Sequence, residues 1–96
     1  MHPAKVNRQK LQHLTDLPNV GPAAAADLHL LGIVRPEQLA GQSALVLYHA
    51  LCEKTAQRHD PCVIDVFLSI ISFMNGEPAR PWWEFTAQRK ALTAAD

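Results

Sequence analysis

Leu17-Pro18-Asn19-Val20-Gly21-Pro22 is the stretch that decides how this chain folds. A small-residue segment, Ala23 to Leu31, leads out of it to Gly32. Pro18 fixes one backbone angle and cannot continue a preceding helix. Asn19 and Gly21 are residue types that tolerate a left-handed backbone. Pro22 suits the first position of a new helix, where its missing N–H costs nothing. The stretch predicts a tight helix-to-helix turn with Leu17 and Val20 as its apolar residues. Backbone N–H groups are then exposed at the start of the second helix, where a phosphate can be held.

Upstream, Val6 to about Leu14 is expected to form a first helix with Val6, Leu11 and Leu14 inward, behind a loose segment 1–5. Lys5, Arg8 and Lys10 all precede the first acid, Asp16. They read either as a basic arm that adds charge to the turn or as a solvated, frayed terminus. Arg89 and Lys90 make a smaller basic spot.

Downstream, Ala24, Leu28 and Leu31 recur at i, i+4, i+7 and mark the buried face of a helix from Pro22 to Leu31, stopped by Gly32. Pro36 to Ala40 reads as one or two helical turns, with Ile33 and Leu39 in the core. A longer helix is expected from about Ser43 to Gln57, with Ala44, Leu47, Tyr48, Leu51, Cys52 and Thr55 on one face. Asp60-Pro61 is an N-cap followed by a first-position proline. The helix it starts should run to about Asn75. It is apolar over most of its circumference and is therefore the central one. Asp65 suits the positive end of that helix. Glu77 to Pro81 is extended, Trp82-Trp83-Glu84-Phe85 follows, and Gln88 to Asp96 is expected to fray. No strand period is present. The sum is an all-α fold, a compact bundle of about five helices in a single domain spanning 1–96, with an ordered core of about 6–86.

With 96 residues, 48% of them apolar, the chain can bury one small core. Its formal net charge is zero, which weighs against strong non-specific duplex binding. The longest apolar-rich run, Cys62 to Met74, is too short to cross a bilayer. With no export signal and two cysteines, the expected setting is the reducing cytoplasm.

Two constellations carry possible chemistry. His49, Cys52, His59 and Cys62 pair soft and borderline ligands at spacings that could hold zinc. Both cysteines also lie on apolar helix faces, where a thiol packs as a small hydrophobe; a disulfide or redox role is the third reading. Trp82 and Trp83 with Arg80 could stack unpaired bases or dock a protein. Alternatively, the tail folds back and tryptophan plugs the core. No nucleophile-and-base set, paired carboxylates or phosphate-binding loop is evident. The expectation is a non-enzyme without cofactor, membrane span or small-molecule substrate.

The turn resembles a helix-hairpin-helix, with Asn19 in place of the usual first glycine and Gly21 matching the second; the plainer reading is an αα-corner. Residues 14–86 as a whole resemble the bacterial pathogenicity-locus family, whose members carry a mitomycin-resistance label. The matching pieces are Leu17-Pro18-Asn19-Val20-Gly21, Ala26-Asp27-Leu28 to Leu31-Gly32-Ile33, Leu39-Ala40-Gly41, Tyr48 with Leu51-Cys52, Asp60-Pro61-Cys62-Val63 with Val66-Phe67, and Trp82-Trp83. Residues 17–22 are also similar to the hairpin of the TfoX C-terminal domain. The resemblance implies an all-α, helix-hairpin-helix or SAM-like unit. It also implies a phosphate-facing turn on Asn19, Val20, Gly21 and the amides of Ala23 and Ala24. Where DNA-binding hairpins commonly carry Lys or Arg, this chain has alanine from 23 to 26. The leading expectation is weak, sequence-independent DNA binding through that turn and the arm Lys5, Arg8 and Lys10. The rival is a protein-interaction or adaptor module, or a homodimer, using the alanine-rich helix and the tryptophan tail.

Overall fold

The helix around which the others pack is the one from Cys62 to Met74, as seen in a computed structural model that describes residues 1–94. In chain order the α-helices are α1 (Pro22–Leu30), α2 (Ala44–Thr55), α3 (Cys62–Met74) and α4 (Thr86–Thr93). Single 3-10 turns at Pro3–Lys5, Arg8–Lys10, Leu14–Asp16, Pro36–Leu39 and Trp82–Phe85 complete the ordered elements. Among the described residues there is no strand, and the fold is all-α.

Local chemistry explains where the helices begin. The Ser43 hydroxyl accepts the Val46 amide and starts α2. The Asp60 carboxylate accepts the Cys62 amide at 2.8 Å and starts α3. That bond, followed by the one with the Cys62 thiol, holds the Asp60 carboxyl below its ordinary pKa. α3 then buries Ile64, Phe67, Ile70, Ile71 and Phe73 against Leu47, Tyr48 and Leu51 of α2. Leu28 of α1, with Leu14, Leu17, Val20, Ile33 and Leu39, belongs to the same core.

The expected first helix, Val6 to Leu14, does not form, so the hairpin has no α-helical first arm. Short polar side chains take the backbone groups that a helix would need. Asn7 Oδ1 accepts the Gln9 amide, and Asp16 Oδ2 accepts the amides of Gln12 and His13. Those His13 and Gln12 bonds depress the Asp16 pKa. The segment is nonetheless tied down from its first residue. The Met1 α-ammonium donates to the carbonyls of Leu17 and Val20, and the Met1 carbonyl accepts the Asn19 amide.

The C-terminal segment also differs from expectation. Through Thr93 it is helical and docked rather than frayed; Ala95 and Asp96 lie outside the described residues. Asp65, read from sequence as a dipole residue, is fully buried. Its Oδ1 accepts from Arg89 Nε at 2.9 Å and its Oδ2 from the Thr86 hydroxyl at 2.7 Å. The hydrogen bond to Asp65 raises the Arg89 pKa further. Phe85, 3% exposed, is the plug that seats this segment on α3, while Trp82 is half-buried and Trp83 is 61% exposed.

Candidate nucleic-acid interface

Leu17, Pro18 and Val20 anchor the turn by burying their side chains. Between them Asn19 adopts φ 67°, the left-handed geometry its sequence position suggested. Its side chain is not offered to solvent: Nδ2 donates to Ser69 Oγ and to the Arg80 carbonyl, both at 2.9 Å. Asn19 thus fixes the turn to α3 and to the segment leading into the tryptophans.

Gly21 is different. Its φ of −100° is open to any residue, and a Cβ built there would meet nothing within 4 Å. Neither backbone geometry nor packing inside the chain requires glycine. Its surroundings are left clear, and α1 begins immediately after it. Among the described residues the amides of Gly21, Ala23 and Ala24 donate to no acceptor, the first α1 bond being Ala25 N–H to the Gly21 carbonyl. The amide side of the turn is open. Its carbonyl side is closed by the Met1 α-ammonium, whose pKa is lowered by burial and pulled back up by Asp16.

The turn forms one wall of a cleft of about 330 Å³. Asn19, Val20 and Gly21 face Trp82 and Trp83 across it, with Met1 and His2 at its edge. The two indoles meet edge to face, 5.8 Å apart. Gly21 and the aromatic pair, far apart in the sequence, therefore share one surface. His2 was not anticipated, and no spacing or motif marks it.

The other basic residues divide. Lys5 and Lys10 are exposed and line a neighbouring hollow together with Asp16. Arg8 is spoken for: Nη1 donates to the Phe73 carbonyl and Nη2 to the Glu77 carbonyl, both at 2.6 Å, with the guanidinium 3.9 Å over the Phe73 ring. It caps the C-terminal end of α3. Arg80 places its guanidinium 4.8 Å over the Phe85 ring and does not line the tryptophan cleft.

The proposed zinc ligands do not converge. The Cys52 sulfur accepts the His59 amide, the His59 ring bonds the Thr55 hydroxyl, and Cys62 stands by Asp60. Among the described residues no group of three His, Cys, Asp or Glu side chains could hold a metal ion, and both cysteines are free. No helix among them is long and apolar enough to cross a membrane.

A family model described as Cdd1, pathogenicity locus, matches residues 7–91, from the second 3-10 turn into α4. The chain belongs to the pathogenicity-locus family. A mitomycin resistance protein McrB of Streptomyces lavendulae is 39% identical to the chain over 83 residues, which cover 86% of this chain and 79% of the relative. The span matched to the pathogenicity-locus family contains the turn, Lys10 and both tryptophans; Met1, His2 and Lys5 precede it. No solved structure matches the chain.

Proposed function

We propose that this pathogenicity-locus protein is a non-enzymatic, cytoplasmic DNA-binding domain that grips phosphates weakly and without sequence preference. The observation that carries the reading is the cleft that Gly21, whose amide has no acceptor, shares with Trp82 and Trp83. The amides at the start of α1 supply phosphate donors. Lys5 and Lys10 add charge from the adjacent hollow. Exposed Trp83 offers a face on which an unpaired base stacks, so single-stranded or branched DNA is preferred over duplex. A glycine that neither conformation nor packing demands keeps the approach to the amides clear. The two free cysteines fit a reducing compartment.

Fluorescence anisotropy with labelled single-stranded, duplex and branched DNA at several salt concentrations tests this. Contacts to about two to four phosphates should give a log K against log salt slope of roughly −1.5 to −3.5. Trp83→Ala should weaken single-stranded binding about tenfold, by loss of one stacked base. Absence of binding at low salt, or binding untouched by Trp83→Ala and by Lys5→Ala with Lys10→Ala, refutes the reading.

A second reading has its own support. Leu30, Val34, Val46 and Trp83 are large apolar side chains left exposed. They favour an interaction module or homodimer, which sedimentation across a concentration series would detect.

A further inference from the structure

A second cleft, of about 390 Å³, lies where α2, α3 and α4 meet and shares no residue with the tryptophan cleft. The chain makes it by turning sharply at the end of α2. Ala56 takes a left-handed backbone, φ 53°, and the following loop folds back along the helix. The Tyr48 hydroxyl donates to the His59 carbonyl and the His59 amide to the Cys52 sulfur, which pins that loop. Arg58, inside the loop, is thereby delivered to the rim.

The lining divides into an apolar half and a cationic half. Leu45, Pro61 and Ile64 supply the first; Arg58 and Arg89 supply the second. Among the described residues no acid lines it. The two carboxylates that act on Arg89 are engaged: Asp65 is buried against Arg89 Nε and the Thr86 hydroxyl, and Asp60 accepts the Cys62 amide. The Asp65 bond has a geometric consequence. A guanidinium held at Nε has its orientation fixed, and its terminal N–H edge remains for a second acceptor. Among the described residues neither Nη of Arg89 has one, and Arg58 forms no ion pair. Burial raises the Tyr48 pKa and Arg58 pulls it back, as expected with Arg58 beside the phenol.

We propose that this cleft binds a small organic anion, whose charged oxygens meet Arg58 and the free edge of Arg89 while its apolar body lies against Leu45, Pro61 and Ile64. The volume lies in the range of small-molecule sites. Preorganisation of Arg89 by a buried carboxylate lowers the ordering cost of binding. The proposal is independent of the DNA reading, because the two clefts have no residue in common.

An amide NMR titration of the whole chain tests it with three probes: naphthalene-2-carboxylate, its neutral analogue 2-naphthamide, and inorganic phosphate. The naphthoate should shift the amides of residues 45–49 and 58–64 saturably, with a Kd of about 1 mM or tighter. The naphthamide and the phosphate should each bind at least about tenfold more weakly, one lacking the charge and the other the apolar body. Arg58→Gln, at an exposed residue that forms no ion pair, should weaken the naphthoate about tenfold and leave the other amides in place. No saturable shift with naphthoate, equal binding of naphthoate and naphthamide, equal binding of naphthoate and phosphate, or an unaltered Arg58→Gln titration overturns it.

Discussion

Asn19 Nδ2 stands 2.9 Å from Ser69 Oγ, so the turn that reads from sequence as a ligand-facing loop is bolted by its central side chain to the buried helix α3. Ser69 passes the bond on to the Val66 carbonyl. Two variants separate the backbone contribution from the bond. Asn19→Ala loses both the tie and the tolerance for a left-handed backbone, and should cost about 2–3 kcal/mol. Asn19→Gly keeps the backbone geometry and should cost about 1 kcal/mol less than Asn19→Ala. Urea denaturation gives both values.

The basic arm should split by readout. Arg8→Ala removes the cap on α3 and the stacking on Phe73, and should lower stability by about 1–2 kcal/mol. Lys5→Ala and Lys10→Ala remove exposed charges, and should stay within about 0.5 kcal/mol of the parent while weakening DNA. Denaturation and anisotropy on the same three variants check the division. Equal stability losses in all three would remove the distinction.

Asp65 and Arg89 should behave as a coupled pair. Arg89→Met leaves a carboxylate buried with the Thr86 hydroxyl alone, and should lower the thermal midpoint by about 10 °C or more. Asp65→Leu combined with Arg89→Met removes the buried charge as well, and should recover at least about half of that loss. Calorimetry of the single and double variants measures the coupling. The Tyr48-side cleft would lose its ordered cation in both.

Stability should fall on the acid side through identifiable carboxylates. Asp16 and Asp60 have folded-state pKa values below their ordinary ones, Asp16 chiefly through the His13 amide and Asp60 chiefly through the Cys62 amide. A depressed carboxyl stabilises the fold above its unfolded pKa. That contribution is lost as pH falls below about 4 through the folded value. Asp16→Asn should therefore be less stable than the parent at pH 7 and converge with it at low pH, in urea midpoints taken between pH 7 and pH 2.

What could be read in the sequence is what depends on near neighbours. The i, i+4, i+7 spacing of Ala24, Leu28 and Leu31 found α1, the single apolar face from Ala44 to Thr55 found α2, and Asp60-Pro61 with the apolar run after it found α3. Leu17, Val20, Ile33 and Leu39 are buried as their apolar character and place among turn residues implied. What could not be read depends on partners far along the chain. Nothing near Asp65 announces Arg89, 24 residues on, so a buried ion pair looked like a dipole effect and a docked helix like a frayed end. Nothing near Arg8 announces Phe73, so a cap looked like a free charge. The missing first helix has a local cause, the Asn7 and Asp16 side chains, which the apolar spacing of Val6, Leu11 and Leu14 masks in the sequence. Of the candidate interface, the turn and the tryptophans were each visible and their meeting was not.

The clasp of Arg8 on the end of α3 also bears on how the chain is made. Arg8 leaves the ribosome 65 residues ahead of the carbonyl it will hold, and Asn19 leaves 50 ahead of Ser69. Until α3 has been synthesised and has emerged, the bonds within residues 1–20 are the ones the first segment can make. A nascent chain stalled before Cys62 has neither the Phe73 carbonyl for Arg8 nor the Ser69 hydroxyl for Asn19.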